Sequence, residues 1–262
     1  MASEVYAAGS TAVVTGAAGG IGRALMDRLA AQGFRLVIAD LDPGVEALAA
    51  AVGAVAVVGD CATEAGVTRL VDTAWAELGR VDVFFANAGT DVGRGLSTPD
   101  AEWATALEVN VMAHVRAARL LVPRWLEGGG GRFVVTASAA GLLTMLGSAP
   151  YSVSKHGAVA FAEWLRATYS HRGIVVQAIC PQGVRTRMLD AAGPLRDLLT
   201  RDRALEPAEV ADVVWLALQG DDFLVLPHPE VAGYYRARAT DPDAWLAGMG
   251  RLQAKLDHGT AV

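Results

Sequence analysis

A chain of 262 residues that is 53% hydrophobic can enclose one large core. Its net charge of −6 gives no basic footprint, which argues against nucleic acid as a partner, and no stretch reaches the roughly 18 uninterrupted apolar residues of a membrane span. Two cysteines, Cys61 and Cys180, stand far apart without metal-ligand spacing, and residues 1–10 carry no secretory pattern, so the expectation is a reduced, cytoplasmic protein with no metal site.

Residues 11–15 form a short apolar run and read as a buried strand. The run passes straight into Gly16-Ala17-Ala18-Gly19-Gly20-Ile21-Gly22 and then into residues 23–30, which have helical period. A glycine-rich turn between strand and helix is a ready anion site, because backbone N–H groups and the helix dipole point at a phosphate. Residues 35–39 are the next strand, ending at Asp40. An acidic side chain about 20 residues past such a turn bonds ribose hydroxyls and repels a 2′-phosphate. No Arg or Lys stands at 39–43, so NAD(H) is favoured over NADP(H).

The rhythm continues with a helix at 45–52, a strand at 54–58 closed by Asp60-Cys61, a helix at 64–78 and a strand at 81–85 that runs into Ala86-Asn87-Ala88-Gly89. Alternating strands and helices argue a Rossmann-like, doubly wound α/β fold with a mainly parallel, seven-stranded sheet and helices on both faces. Right-handed crossovers then bring Gly16, Asp40, Asp60 and Asn87 to one sheet edge. Asp60 is placed to bond an adenine amino group, and the small residues Ala88 and Gly89 let backbone pass close to a cofactor. Asp91, just beyond, is assigned to a substrate wall.

Residues 101–126 read as one long helix that Pro123 kinks or ends. Asn110 lies inside it, where asparagine is a poor choice and needs a reason. The fifth strand, 132–137, delivers Ser138 to the carboxyl edge of the sheet; the absence of a Gly-x-Ser-x-Gly elbow argues against a nucleophilic serine. Residues 139–146 are apolar for a loop and propose Ala140, Leu142 and Met145 as a substrate wall. The helix at 151–169 opens with Tyr151 and Lys155, which share a face at i and i+4. An ammonium beside a phenol lowers the phenol pKa and prepares it for general acid–base work.

A sixth strand, 174–180, leads into Pro181-Gln182-Gly183-Val184-Arg185-Thr186. Residues 187–203 read as an amphipathic lid carrying Met188, those at 207–219 as a helix and those at 222–227 as the seventh strand. The ends of the chain, 228–262, form a helical tail with Trp245, Leu246, Met249 and Leu252 as a buried stripe, fit to cover the cleft, a partner subunit or its own domain.

Taken in order, Thr15-Gly-x-x-x-Gly-Ile-Gly22, Asp60, Asn87-Ala88-Gly89, Asn110, Ser138, Tyr151-x-x-x-Lys155 and Pro181-x-Gly183 resemble the short-chain dehydrogenase/reductase family over roughly residues 10–220. The tail departs from the family's glycine-rich ending. The resemblance implies a single catalytic domain, with Gly16, Gly20, Ile21, Gly22, Asp40, Asp60, Cys61, Asn87, Ala88, Gly89, Tyr151, Lys155, Pro181, Gly183, Val184 and Thr186 against the cofactor. It implies that Tyr151 is the general acid/base, Ser138 orients the substrate oxygen, Lys155 also holds the nicotinamide ribose, and Asn110 supports a water that leads protons out. Gln182, where the family often has glycine, joins the substrate pocket. The implied activity is an NAD(H)-dependent interconversion of a secondary alcohol and a ketone on a hydrophobic small molecule. The implied assembly is a homo-oligomer, dimer or tetramer, paired through helices 101–126 and 151–169. The competing expectations are a 3-oxoacyl-thioester reductase and a non-catalytic NAD(H)-binding sensor.

Overall fold

The computed structural model describes residues 6–258; residues 1–5 of the N-terminal stretch and 259–262 of the expected tail lie outside them. The first half alternates strictly: β1 (Thr11–Thr15), α1 (Gly20–Ala31), β2 (Arg35–Asp40), α2 (Val45–Val52), β3 (Val55–Val58), α3 (Glu64–Leu78) and β4 (Val83–Ala86). Then come α4 (Asp100–Leu107), a π-helical turn at Glu108–Met112, α5 (Ala113–Glu127), β5 (Gly131–Thr136), α6 (Ala140–Leu143), α7 (Ala149–Tyr169) and β6 (Ile174–Ile179). The last part holds α8 (Arg187–Asp190), α9 (Arg196–Leu199), α10 (Pro207–Ala217), β7 (Leu224–Val225), α11 (Glu230–Thr240) and α12 (Pro242–Asp257).

All pairings in the seven-stranded sheet are parallel, in the order β3-β2-β1-β4-β5-β6-β7. Such strands are covered on both faces, which is why β1 is apolar at its centre and buried throughout. Period-2 alternation splits the core into two layers. Phe84 stacks on Phe133 beside Trp125, in the layer that includes residues of α3, α5 and α7. Phe85 faces the other way, with Leu25 of α1 and Trp215 of α10. Strand order reverses between β1 and β4, the switch point where open α/β sheets bind ligands.

Three expectations change. The long helix is continuous in path but carries a π-turn centred on Asn110, and Pro123 sits inside α5 without ending it. The apolar loop contains the short helix α6, whose Gly141 packs on α7 so closely that a Cβ there would stand 2.5 Å from the Lys155 carbonyl oxygen. In the tail, Leu246 is 64% exposed rather than buried, because α12 turns Trp245, Met249 and Leu252 toward the cleft and Leu246 away from it. Among the described residues no helix is long and apolar enough to cross a membrane.

Candidate active site

One cleft of about 1200 Å³ runs along the carboxyl ends of the strands. That exceeds the roughly 300–1,000 Å³ of an ordinary small-molecule pocket and leaves room for two ligands side by side. Gly16, Ile21, Gly22, Asp40, Asp60, Cys61, Asn87, Ala88 and Gly89 line one part; Ser138, Ala140, Met145, Tyr151, Lys155 and Asp91 line it further on; Pro181, Gln182, Gly183, Val184, Thr186 and Met188 close it. Three expected site residues stand outside the lining. Gly20, at φ +54°, backs onto Thr186; Asn110 lies beneath the cleft; and Leu142, 2% exposed, is turned into the core by α6.

The glycine loop is built for close approach. Gly16 has a φ of +68°, which favours glycine. A Cβ on Gly22 would stand 2.0 Å from the Gly16 oxygen and 2.5 Å from Asn87 Nδ2. Helix α1 is capped by Gly19 without a side-chain hydrogen bond and has no acidic residue in its first turn, so no carboxylate of its own neutralises the positive end at the cleft. Asn87 fastens this loop: its Nδ2 donates to the Thr15 oxygen (2.9 Å), and its Oδ1 accepts from Thr136 Oγ1 (2.9 Å). One amide thus ties the ends of β1, β4 and β5. Gly22→Ala should force the loop open, lowering stability by about 2–4 kcal/mol and weakening NADH binding at least about tenfold. Thermal melting and NADH titration check both effects.

Asp40 does more than face a ribose site. Its Oδ2 accepts from Ala18 N (2.8 Å) and its Oδ1 from Asp42 N (3.0 Å), so the carboxylate also fixes the loop and the following turn. Asp60 Oδ1 accepts from Ala62 N (2.9 Å). Burial pushes the Cys61 thiol up to about 11 and the Cys180 thiol up to about 12, which leaves both free cysteines as packing groups rather than nucleophiles.

Tyr151 and Lys155 share the inner face of α7, with the ammonium 5.6 Å from the phenol ring centroid. The ammonium donates to the Thr136 oxygen (2.9 Å). Burial, partly offset by a hydrogen bond with Ser138, pushes Tyr151 up to about 12, whereas the sequence argument expected Lys155 to bring it down. Burial also lowers Lys155 to about 8. The lysine addresses a backbone carbonyl and the flank of the ring, so desolvation outweighs its pull on the phenol oxygen. Ser138 Oγ accepts from Ala140 N (3.1 Å) and contacts the Pro181 oxygen (3.5 Å), which holds the hydroxyl at the strand edge.

Asn110 is fully buried and spends its amide locally: Oδ1 accepts from Thr90 N, while Nδ2 donates to the Thr90 oxygen and to Ser154 Oγ, each at 2.9 Å. It fastens the segment after Gly89 to α7. Several supporting residues escaped the sequence argument. Thr136, Thr90 and Ser154 hold the predicted side chains through hydroxyl or backbone groups that leave no motif. His228 accepts from Gln182 N at Nδ1 (3.1 Å) and faces the Arg203 oxygen with Nε2 (3.1 Å), pinning the loop at 181–183 to the start of the tail. The tail itself joins the cleft: Tyr234 of α11 and Trp245, Met249 and Leu252 of α12 line it. Its periodic stripe was visible in the sequence, but its destination was not. Among the described residues no His, Cys, Asp or Glu cluster is arranged to hold a metal.

The family model for short chain dehydrogenase matches residues 10–196. The chain is 41% identical over 231 residues to the 1-deoxy-11-beta-hydroxypentalenate dehydrogenase of Streptomyces avermitilis, spanning 84% of this chain and 85% of that one. It is 34% identical over 218 residues to the D-threitol dehydrogenase of Mycolicibacterium smegmatis, spanning 78% and 83%. Among solved structures, a short chain dehydrogenase/reductase from Burkholderia phymatum in complex with NAD superposes with a TM-score of 0.83 at 31% identity, covering 90% of this chain and 95% of that one.

Proposed function

The chain belongs to the short-chain dehydrogenase/reductase family of oxidoreductases, and from that premise we propose that it interconverts a secondary alcohol and a ketone on a hydrophobic small molecule, with NAD(H) as cofactor. The observation that carries this reading is the meeting of Ser138 and Tyr151 hydroxyls in a cleft whose one part is a glycine loop and whose other part is apolar. The relatives named for dehydrogenating a hydroxypentalenate and threitol support an alcohol as the reduced substrate.

The residues present fit NAD(H). The open positive end of α1 and the Cβ-free floor at Gly16 and Gly22 suit a pyrophosphate, and Asp40 at the end of β2 suits unphosphorylated ribose. When bound, the cofactor accepts or supplies the hydride. Tyr151 removes the hydroxyl proton in oxidation and returns it to the carbonyl oxygen in reduction. Ser138 orients that oxygen. Lys155, anchored on Thr136, sets the charge beside the phenol and would hold the nicotinamide ribose of a bound cofactor. Asn110 holds the segment at Gly89 and Thr90 against α7 and so keeps the lysine's surroundings fixed. Residues 187–203 and the tail exclude water from the reacting atoms. The same reading includes a homo-oligomer paired through α4–α5 and α7, whose Val153 and Trp164 are 50% and 55% exposed.

The test is the absorbance change of reduced nicotinamide with a panel of alicyclic alcohols and ketones. No turnover with any of them, alongside tight NADH binding, would replace this reading with a sensor. Cofactor choice has its own test. Asp40→Ala combined with Leu41→Arg removes a repelling carboxylate and adds a phosphate partner; Leu41 is 69% exposed, so the arginine has room. The NADP-to-NAD ratio of kcat/KM should rise about 100-fold, the worth of one charge-assisted hydrogen bond plus lost repulsion. A flat ratio would remove Asp40 as the selector.

A further inference from the structure

The apolar part of the cleft is walled on one side by Trp245, Met249 and Leu252 of α12 and on the other by Met145, Met188 and Leu199. The α12 residues recur at i, i+4 and i+7, one helical stripe. That stripe is only partly buried: no residue of α12 is fully buried, while Trp245 packs against the edge of the core and leans on Tyr234 of α11 at 6.4 Å between ring centroids. An amphipathic helix thus lies over the cleft, held to the core at Trp245 and with Met249 and Leu252 turned to the cleft space.

The rim of this chamber is mainly cationic. Arg251, on the same helix, and Arg201, on the segment after α9, both line the cleft, and Lys255 follows one turn beyond Arg251. Neither arginine forms an ion pair among the described residues. The nearby carboxylates are engaged or distant. Asp202, next to Arg201, also lines the cleft and adds a negative charge, so the rim is mainly rather than wholly cationic; both of its oxygens take the Tyr234 hydroxyl at 3.2 Å. Asp91 Oδ1 is held by Arg94 (3.1 Å) and Ser148 (3.0 Å). Asp40 and Asp60 stand at the ends of β2 and β3, in the glycine-loop part. Guanidinium groups without a protein carboxylate, at the mouth of an apolar chamber, match a planar anion on an apolar body.

We infer that the substrate is an alicyclic hydroxy or oxo carboxylic acid, whose ring system fills the chamber against α12 and whose carboxylate is received by Arg201 and Arg251. This rests on the alcohol–ketone reading and adds the second functional group. In the reductive direction hydride adds to the carbonyl carbon, Tyr151 supplies the proton to its oxygen, and the carboxylate takes no part in the bond changes.

The experiment uses matched acids and methyl esters built on cyclohexanone, decalone and adamantanone rings, including 4-oxoadamantane-1-carboxylate, with the full-length protein and NADH. The acid is expected to exceed its ester at least about tenfold in kcat/KM, mainly through KM, for the ring that fits. Added salt should reduce that preference, since exposed ion pairs are screened. Arg251→Gln and Arg201→Gln should each cut the acid-to-ester ratio about tenfold; as exposed residues they leave folding intact. Turnover of esters in preference to acids overturns the carboxylate assignment and leaves the alcohol–ketone reading standing, as does an unchanged ratio in both variants. Turnover of neither defeats the alcohol–ketone reading instead. The carboxylate is then judged by binding alone: thermal stabilisation of the NADH-saturated protein by an acid and not by its ester supports it, and no such difference overturns it.

Discussion

Tyr151→Phe is expected to abolish turnover, by about 10³-fold or more in kcat, which lies within the usual worth of a general acid–base. NADH affinity should stay within a few-fold, because the ring and its packing remain. The substitution is clean for a structural reason. Ser138, which loses the phenol, keeps Ala140 N and the Pro181 oxygen as partners, so no buried hydroxyl is orphaned. The pH dependence follows from burial. With Tyr151 pushed up to about 12, the protein alone holds a neutral phenol at neutral pH, the form that gives a proton to a ketone. Alcohol oxidation needs the phenolate, so its rate should climb from neutral toward alkaline pH, while ketone reduction, served by the neutral phenol, should stay level until pH approaches about 12. Lys155, lowered to about 8 by the same burial, carries its charge below that value and loses it above. Loss of the ammonium removes support for the phenolate, so the climb in oxidation should flatten above about that pH. Initial rates in both directions, measured across pH for the wild type and for the tyrosine variant, check this. Near wild-type turnover in the variant would sink the proton-transfer role.

Much of this site was legible because its chemistry is local in sequence. A strand that runs into glycines and then into a helix declares the loop at Gly16–Gly22 without any tertiary information. Tyr151 and Lys155 share a helix face, so their spacing alone puts them together. The sign of the electrostatics was not legible. Spacing gives proximity, but the balance between an ammonium's pull and a phenol's desolvation depends on how deeply both are buried and on where the lysine donates. The tail shows the same limit. Its period announced an apolar stripe at Trp245, Met249 and Leu252, yet an apolar stripe looks the same whether it meets core, partner or substrate. Leu246 was assigned to that stripe because it too is apolar; only the helix's rotation over the cleft separates it from its neighbours. Leu142 failed likewise, since one residue's rotation in α6 exchanges a cleft wall for core. The π-turn at Glu108–Met112 was invisible for a different reason: one extra residue in a turn leaves the hydrophobic pattern nearly unaltered.

That π-turn sets the second large effect. Asn110→Leu is expected to destabilise the protein by about 3–6 kcal/mol, a sizeable part of the roughly 5–15 kcal/mol that holds a domain folded. Leucine is close to asparagine in length and would sit in the same buried place, but it can make none of the three bonds. Thr90 N, the Thr90 oxygen and Ser154 Oγ would each lose a partner at 2.9 Å, around a side chain that is itself fully buried. Ser154 keeps its bond to the Tyr151 oxygen (3.0 Å), so the Thr90 peptide bears most of the cost. The position of Lys155 depends on that peptide, because a Cβ on Gly89 would already stand 3.2 Å from both Asn110 Oδ1 and Lys155 Nζ. Displacing Thr90 should therefore disturb the lysine and lower kcat even in protein that remains folded. Asn110→Asp separates the two effects. A carboxylate can still accept from Thr90 N, but it faces the Thr90 oxygen with a second acceptor unless it binds a proton. The aspartate variant should then gain stability as pH falls and its carboxyl protonates, whereas the leucine variant should show no such gain. Thermal melting of both variants as a function of pH, with kcat measured below the transition, decides it. Equal stability of the leucine variant and the wild type would mean that the buried amide holds nothing together.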